Sequence, residues 1–316
     1  ANTLMGKKRL ASYLLEKSDG DDIRCRQSAV SSLMGMNDFR NQIRIHGNQM
    51  TGESDRGKAF DRFFSSPIDF VRNRILQIII RVVPALTLAA LVLAFYGLSF
   101  SWFMGLFLLQ LAVNLFYTKR NSAIFNLSRK SHRVLRVYSK IFEEIEHTEF
   151  NEKTLSSLRQ QLFVQKRRSS YYIRKLAVLL EWFELRNSSI HFFVNNILFW
   201  DLNISSKIER WRSKVADNIN DWFQVIGEFE VFCSFATLLF NNPEWTFPEI
   251  LSDGPEQEFQ LEGREIGHPL IEPTERVNND IRMDQTGQII IITGPNMAGK
   301  STFLRTVGIN MVLGLA

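Results

Sequence analysis

"IIIITGPNMAGKSTFLRT", residues 289–306, decides how the C-terminal part of this chain is read. The isoleucine run predicts a buried strand from Gln288 to Thr293. Gly294, Pro295, Asn296, Met297, Ala298, Gly299, Lys300 and Ser301 then fit G-x-x-x-x-G-K-[ST], the phosphate-binding loop, with Thr302 directly after it. A helix is expected to start at the lysine, with Phe303, Leu304, Val307, Met311 and Val312 as its apolar face. Strand, loop, helix is the order such a loop requires. The rival reading is a glycine turn beside an incidental lysine.

Each residue type in the loop has a physical task. Gly294 and Gly299 let the backbone turn tightly and approach a phosphate without a Cβ clash. Successive N–H groups converge on phosphate oxygens, and the helix N-terminus reinforces them. Lys300, the candidate catalytic residue, brings a point charge to the β- and γ-phosphates. The Ser301 hydroxyl is the candidate Mg²⁺ ligand. ATP and Mg²⁺ are therefore the expected cofactors.

Upstream of the loop, Pro248, Gly254, Pro255, Gly263, Gly267, Pro269 and Pro273 break the chain into short pieces. "EFQLEG" and "NDIRM" are further strand candidates, so an α/β domain is expected to begin near residue 246. Residues 119–245 read as helices. In "IERWRSKVADNINDWFQVIGEFEVFCSFATLLF", Ile208, Trp211, Val215, Ile219, Trp222, Ile226, Phe229 and Cys233 recur at spacings of three and four. That predicts one long helix with one apolar stripe, ended by Pro243. "QKRRSSYYIRK" (165–175) interleaves basic residues with tyrosines. Such a segment is able to lie along DNA phosphates; the plainer reading is a solvated helix face, or one near anionic lipid, because charge runs on helices are usually just solvated.

Between Val82 and Thr118 there is no charged residue. Two spans fit, Leu76–Tyr96 and Leu98–Tyr117, each long enough to cross a hydrocarbon core. Arg72, Arg74 and Arg81 flank one end, and Lys119 and Arg120 the other. Positive charge on both flanks of a tight hairpin places both ends in the cytoplasm, on the inner face of the inner or plasma membrane. A buried hairpin in a soluble cytoplasmic protein is the alternative. Residues 1–74 read as the start of a helical core. Leu10, Tyr13 and Leu14 form one helix face, and Ile23, Ala29, Val30 and Leu33 form the next. "SDGDD" (18–22) reads as a loop between them, and "HGNQMTGESDRGK" (46–58) as a polar linker.

Composition narrows the class. The chain has 316 residues, is 45% hydrophobic and carries a formal net charge of +5. Cys25 and Cys233 stand far apart, which argues against a disulfide framework and for a reducing compartment. The five histidines are scattered and suggest no zinc site. The chain opens on Ala1 with no signal peptide, and both ends read as cuts in a longer protein. The expected architecture is multidomain and mostly α. A helical core (1–74 and 119–245) carries a two-helix transmembrane hairpin (75–118). The start of a P-loop ATPase domain (246–316) follows.

"TGPNMAGKSTFLRTVGIN" resembles the nucleotide loop of the MutS mismatch-repair ATPases, in which the Asn-Met pair is characteristic. "GHPLI" (267–271) and "VNNDI" (277–281) resemble that family's approach to the loop. "TLMGKKRLASYLLE" followed by "IRCRQSAVSSL" resembles the start of its helical core, with a T-x-x-G motif and then R-Q-x-A-V. The resemblance implies an ABC-type ATPase fold, dimerisation through the ATPase domains, and DNA, mismatched or branched, as partner. Arg276 stands where the family often has an aromatic residue that stacks on adenine; a guanidinium plane is able to stack there too. The hairpin marks a membrane-anchored branch. No Walker B carboxylate or signature loop follows the P-loop here, so a full-length parent is expected to hydrolyse ATP and this segment alone is not. Two rival readings are a membrane transporter ATPase and a non-catalytic membrane scaffold that binds nucleotide. Transporter loops carry a glycine where this chain has Met297.

Overall fold

The computed structural model describes residues 1–50, 73–97, 99–128, 131–164, 167–251, 260–295 and 297–316. Arg72, Leu98, Gln165, Lys166, Asn296, the linker from Thr51 onward and Glu258-Phe259 of the first strand candidate lie outside them, as do the side chains of Lys119 and Arg120.

The helices in chain order are α1 (Leu4–Leu15), α2 (Gly20–Met34), α3 (Asn37–Asn48), α4 (Arg74–Phe95), α5 (Ser101–Ser128), α6 (Ser131–His147) and α7 (Lys153–Gln160). After a two-residue hairpin, β1 (Phe163–Val164) and β2 (Arg167–Arg168), come α8 (Ser169–Phe183), α9 (His191–Leu198), α10 (Trp200–Val215) and α11 (Ile219–Asn241). The chain closes on β3 (Leu261–Ile266), β4 (Asn279–Met283) and α12 (Lys300–Leu315).

One hydrophobic core takes residues from both sides of the hairpin: α1, α2 and α3 pack with α6, α8, α10 and α11. Ile23, Ala29, Val30 and Leu33 are all buried, as their helical spacing predicts. Two details of that region differ from the sequence reading. The loop before α2 ends at Asp19, and Gly20 to Asp22 already belong to the helix, because Asp21 and Asp22 in the first turn complement its positive end. The eight stripe residues from Ile208 to Cys233 are buried as expected, but on two helices. Ala216 to Asn218 interrupt the helix, with Asn218 N–H turning back to the Val215 carbonyl at 3.0 Å. Asp217 and Asn218 are poor helix formers that compete for backbone hydrogen bonds. Ala216 and Asn218 keep right-handed dihedrals, so the stripe stays in phase.

The T-x-x-G motif has a plain structural purpose. Thr3 caps α1, its hydroxyl accepting from Gly6 N–H at 3.1 Å. The buried Glu230 carboxylate of α11 accepts from the backbone N–H of Asn2 and Thr3 at 3.1 Å, and from the Thr3 hydroxyl. Gly6 must lack a side chain, since a Cβ there would sit 2.0 Å from Glu230 Oε2.

α4 and α5 pack against each other, with Thr87 Oγ1 donating to Gln110 Oε1 at 3.1 Å. Among the described residues three helices are long and apolar enough to cross a membrane: α4, the Ser101–Thr118 part of α5, and α11. Burial separates them. The apolar windows of α4 and α5 are 22% and 11% buried, whereas that of α11 is 56% buried and forms the middle of the core.

The expected strand at Gln288–Thr293 is not formed. Residues 289–293 belong to no strand and have no ladder partner among the described residues, and Ile289 and Ile291 are 83% and 80% exposed. The sheets among the described residues are β1–β2 and the antiparallel β3–β4 pair, which reproduces "NDIRM" as a strand. A buried strand needs ladder partners on its edges and cover on its faces, and nothing described here supplies either to the isoleucines. For the same reason the apolar face of α12 is not buried. Leu304, Met311 and Val312 are exposed, although the helix does begin at Lys300.

Candidate functional site: the phosphate loop and its supports

α12 starts at Lys300 because Gly299 turns into it with φ 80°, a left-handed conformation suited to glycine. Met297 also has positive φ, 68°, and its side chain projects fully into solvent. Alternating handedness of this kind turns successive N–H groups toward one concavity. The first-turn amides of α12 have no intrahelical acceptor, as at any helix start. Lys300 curls back over the loop: its Nζ donates to the Gly294 carbonyl at 2.6 Å and to the Pro295 carbonyl. Among the described residues, the ammonium's hydrogen-bond partners are these two carbonyls. Gly294, Pro295, Met297, Ala298 and Gly299 lead directly into Lys300, Ser301 and Thr302 at the start of α12, while Asn296 lies outside the described residues. From Gln285 to Ala316 the only charged residues are Lys300 and Arg305. No carboxylate of that stretch stands beside Ser301, and the described residues hold no cluster of metal ligands.

The upstream motifs meet α12. The β3–β4 pair brings Gly267 against Arg276 and Asn278 so closely that a Cβ on Gly267 would lie 2.4 Å from both. Arg276 Nε donates to Asn278 Oδ1 at 3.1 Å, which orients the guanidinium. Asn310 of α12 donates to the Gly267 carbonyl at 3.0 Å, ten residues after Lys300, or about 15 Å along the helix axis.

The far end of α12 meets the helical core through the R-Q-x-A-V motif, which sequence reading identified without its reason. Arg26 lies over the Tyr13 ring at 3.7 Å and donates to the Ala316 carbonyl at 2.7 Å. Gln27 donates to the Pro248 carbonyl at 3.0 Å. Pro248 in turn packs where a Cβ on Gly314 would be. Ala29 and Val30 fill the core. Burial and the Glu228 carboxylate push the Tyr13 phenol pKa well up, so the ring stays neutral beneath Arg26.

The basic segment sits elsewhere, at the start of α8. Buried Glu146 accepts from Ser169 Oγ at 2.7 Å, Ser170 N–H at 2.9 Å and Ser170 Oγ, an anchored carboxylate at a helix N-terminus. Arg174 is neutralised by Glu143 at 2.5 Å. Arg167 lies 4.9 Å from the Tyr171 ring and Arg168 against His147. An open depression lined by Glu143, Arg167, Arg168, Ser170, Tyr171 and Arg174 results.

The chain shares sequence with curated proteins named for mismatch repair. It is 37% identical over 109 residues to DNA mismatch repair protein MutS 1 of Haloarcula marismortui, covering 33% of this chain and 11% of that protein. It is 36% identical over 111 residues to DNA mismatch repair protein MutS of Methanococcoides burtonii, and 38% identical over 110 residues to that of Brevibacillus brevis. Those matches cover 33% and 32% of this chain and 12% of each relative. The matched region thus spans about a ninth of the relatives' length, and it supports a relationship to the MutS family over a third of this chain. No family profile matches the chain, and no solved structure does.

Proposed function

We propose that this chain is part of a MutS-related, membrane-held ATPase whose loop at 294–302 binds the phosphates of ATP with Mg²⁺ and whose helical core contacts DNA. The observation that carries the reading is Lys300 folded over its own loop at the start of α12. The residues fit the ligand: left-handed turns at Met297 and Gly299, open first-turn amides, a cation with no carboxylate partner among the described residues, and a hydroxyl at Ser301. Lys300 and the loop amides would hold the β- and γ-phosphates, Ser301 would ligate Mg²⁺, and Arg276 would face the base. Mg²⁺ supplies charge neutralisation between the phosphates. Arg26, Gln27 and Asn310 tie the loop's helix to the core and to the β3–β4 pair, a route by which loop occupancy reaches the helices. Dimerisation through ATPase domains belongs to the same reading, supported by the exposed apolar side of α12.

The nucleotide part is tested by equilibrium binding of ATP to the purified full-length protein. Saturable, Mg²⁺-dependent binding that pyrophosphate competes and AMP does not is expected. Binding that is absent, or that AMP displaces, would remove the reading.

The DNA part draws on the names of the relatives and on the α8 N-terminus. Arg167 lies against the Tyr171 ring and Arg168 against His147, while Glu143 of the same depression is paired with Arg174, which leaves both charges available to phosphate. Replacing both by Gln should weaken duplex binding alike across sequences and reduce the log–log salt slope by about 1.8, at ~0.9 per phosphate contact. Anisotropy titrations between 50 and 200 mM salt measure this; an unchanged slope returns the segment to a solvated helix face.

The membrane part rests on the apolar outer surface of α4 and α5, the basic residues at their open end, and Tyr96, Phe95 and Trp102 exposed near the tip. Both open ends then face the cytoplasm.

A further inference from the structure

The short helix α9 has its polarity turned inside out. Its amide side chains face the protein: Asn196 is 4% exposed, donates to the Phe192 carbonyl at 2.7 Å and accepts from Asn114 of α5 at 3.0 Å. Asn195 Oδ1 accepts from Asp201 N–H at 3.0 Å. Its large apolar side chains point outward instead, with Phe192 and Phe193 52% and 60% exposed and Ile190 and Leu198 beside them. A helix facing water shows the opposite arrangement.

The backbone around α9 is treated as though no water were at hand. The last carbonyls of a helix have no intrahelical donor, and here side-chain amides supply them. Asn114 Nδ2 donates to the Asn195 carbonyl at 2.9 Å, Gln110 Nε2 to that of Ile197 at 3.0 Å, and Asn203 Nδ2 to those of Leu198 at 2.8 Å and Phe199 at 3.2 Å. The same Asn203 amide approaches the Ile80 carbonyl at 3.5 Å. That carbonyl has lost its helical donor, because Pro84, four residues on, has no N–H. Irregular backbone is tolerated at membrane depth only where protein groups satisfy it in this way.

The position of α9 fits. Phe199 and Leu202, directly after it, pack with Leu76 and Ile80 of α4 and with Val113 and Tyr117 of α5, level with the charged end of the hairpin at Arg81. Gln110 lies seven residues before Tyr117 on α5, about 10 Å deeper along the axis. At the other edge, Trp200 donates to the Trp182 carbonyl at 3.2 Å, and Lys207 lies over the Trp182 ring at 4.9 Å. An indole pair with a lysine suits a headgroup level.

We infer that α9 is a third membrane element, which dips beside the α4–α5 hairpin into the cytoplasmic leaflet with Ile190, Phe192, Phe193 and Leu198 in contact with lipid chains. This rests on the membrane reading of the hairpin. Together the three helices make a wedge on one leaflet, broader than two spans, that fixes the orientation of α8, α10 and the core above the bilayer.

The test is site-directed spin labelling of the full-length protein in phosphatidylcholine–phosphatidylglycerol vesicles. Within residues 1–316 the Cys25→Ser background leaves only Cys233, whose burial pushes its thiol pKa up to about 12 and keeps it unreactive; any cysteine outside these residues is replaced by serine as well. Single labels go in at Phe193→Cys, at Val92→Cys on the hairpin and at Lys8→Cys on the core. Collision with oxygen is compared with collision with a water-soluble nickel chelate. The expected result is oxygen-dominated relaxation at 193 and 92 and chelate-dominated relaxation at 8. Chelate-dominated relaxation at 193 with oxygen dominance at 92 would overturn the inference and leave the hairpin standing. Chelate dominance at both 92 and 193 would overturn the membrane reading along with it. A label at 193 shielded from both reagents would show a protein surface in place of lipid and would overturn the inference as well.

Discussion

Replacing Lys300 with alanine is expected to lower ATP turnover by the full-length protein about 10²–10³-fold while weakening ATP binding only ~10-fold. The asymmetry follows from where charge develops. Ground-state phosphate is held by loop amides and the helix N-terminus as well as by the lysine, so binding loses one contact among several. The transferring phosphoryl group spreads charge over its outer oxygens, where a mobile ammonium contributes most. The loss corresponds to about 2.7–4 kcal/mol of transition-state stabilisation. Lys300→Arg should rescue little. Lys300 Nζ folds onto the Gly294 and Pro295 carbonyls, a compact position that a planar guanidinium on a longer stem does not reproduce. Phosphate release and equilibrium ATP binding, measured on the same preparations, separate the two effects. A Lys300→Ala protein that turns over within threefold of the parent would show that the loop is a glycine turn with an incidental lysine.

Trp222→Ala should lower the thermal midpoint of the helical core by about 10 °C, on a loss of ~3–5 kcal/mol. Trp222 is fully buried in the first turn of α11. It stacks on Tyr172 of α8 at 5.9 Å between centroids and meets Phe142 of α6 edge-on at 6.5 Å. Removing it opens a cavity among three helices at once, and these elements are too regular to collapse into it. Trp222→Phe is a sharper comparison. It keeps an aromatic ring against Tyr172 and deletes an indole N–H that has no hydrogen-bond partner among the described residues. An unpaired buried donor costs about 1–3 kcal/mol, so its removal offsets part of the lost volume, and the phenylalanine variant should lose about 1–2 kcal/mol. Differential scanning calorimetry on detergent-solubilised protein gives both values. Equal losses in the two variants would mean that the indole N–H is satisfied and that packing alone sets the cost.

Periodicity in the sequence determined which residues of the core helices are inside. Ile23, Ala29, Val30, Leu33 and the stripe from Ile208 to Cys233 are buried because a 3.6-residue repeat leaves a helix only one face to bury. Local chemistry also determined the start of α12, since Gly299 followed by Lys300 suffices to turn the chain and begin the helix. Length and absence of charge marked α4 and α5 as long apolar helices. What the sequence did not carry was anything that depends on a second element. Four isoleucines read as a strand, but a strand exists only with a ladder partner, and none of the described segments pairs with residues 288–293. The purpose of Gly6 is set by Glu230, more than two hundred residues away, and that of Arg26 and Gln27 by the end of α12 and by Pro248. The outward turn of α9 has the same origin. "HFFVNNILFW" looks like an ordinary apolar helix in sequence, and its two asparagines are the one local sign of something else. Only the tertiary structure brings Asn114, Gln110 and Asn203 to its carbonyls, satisfying its polar groups from inside and leaving its phenylalanines to face outward.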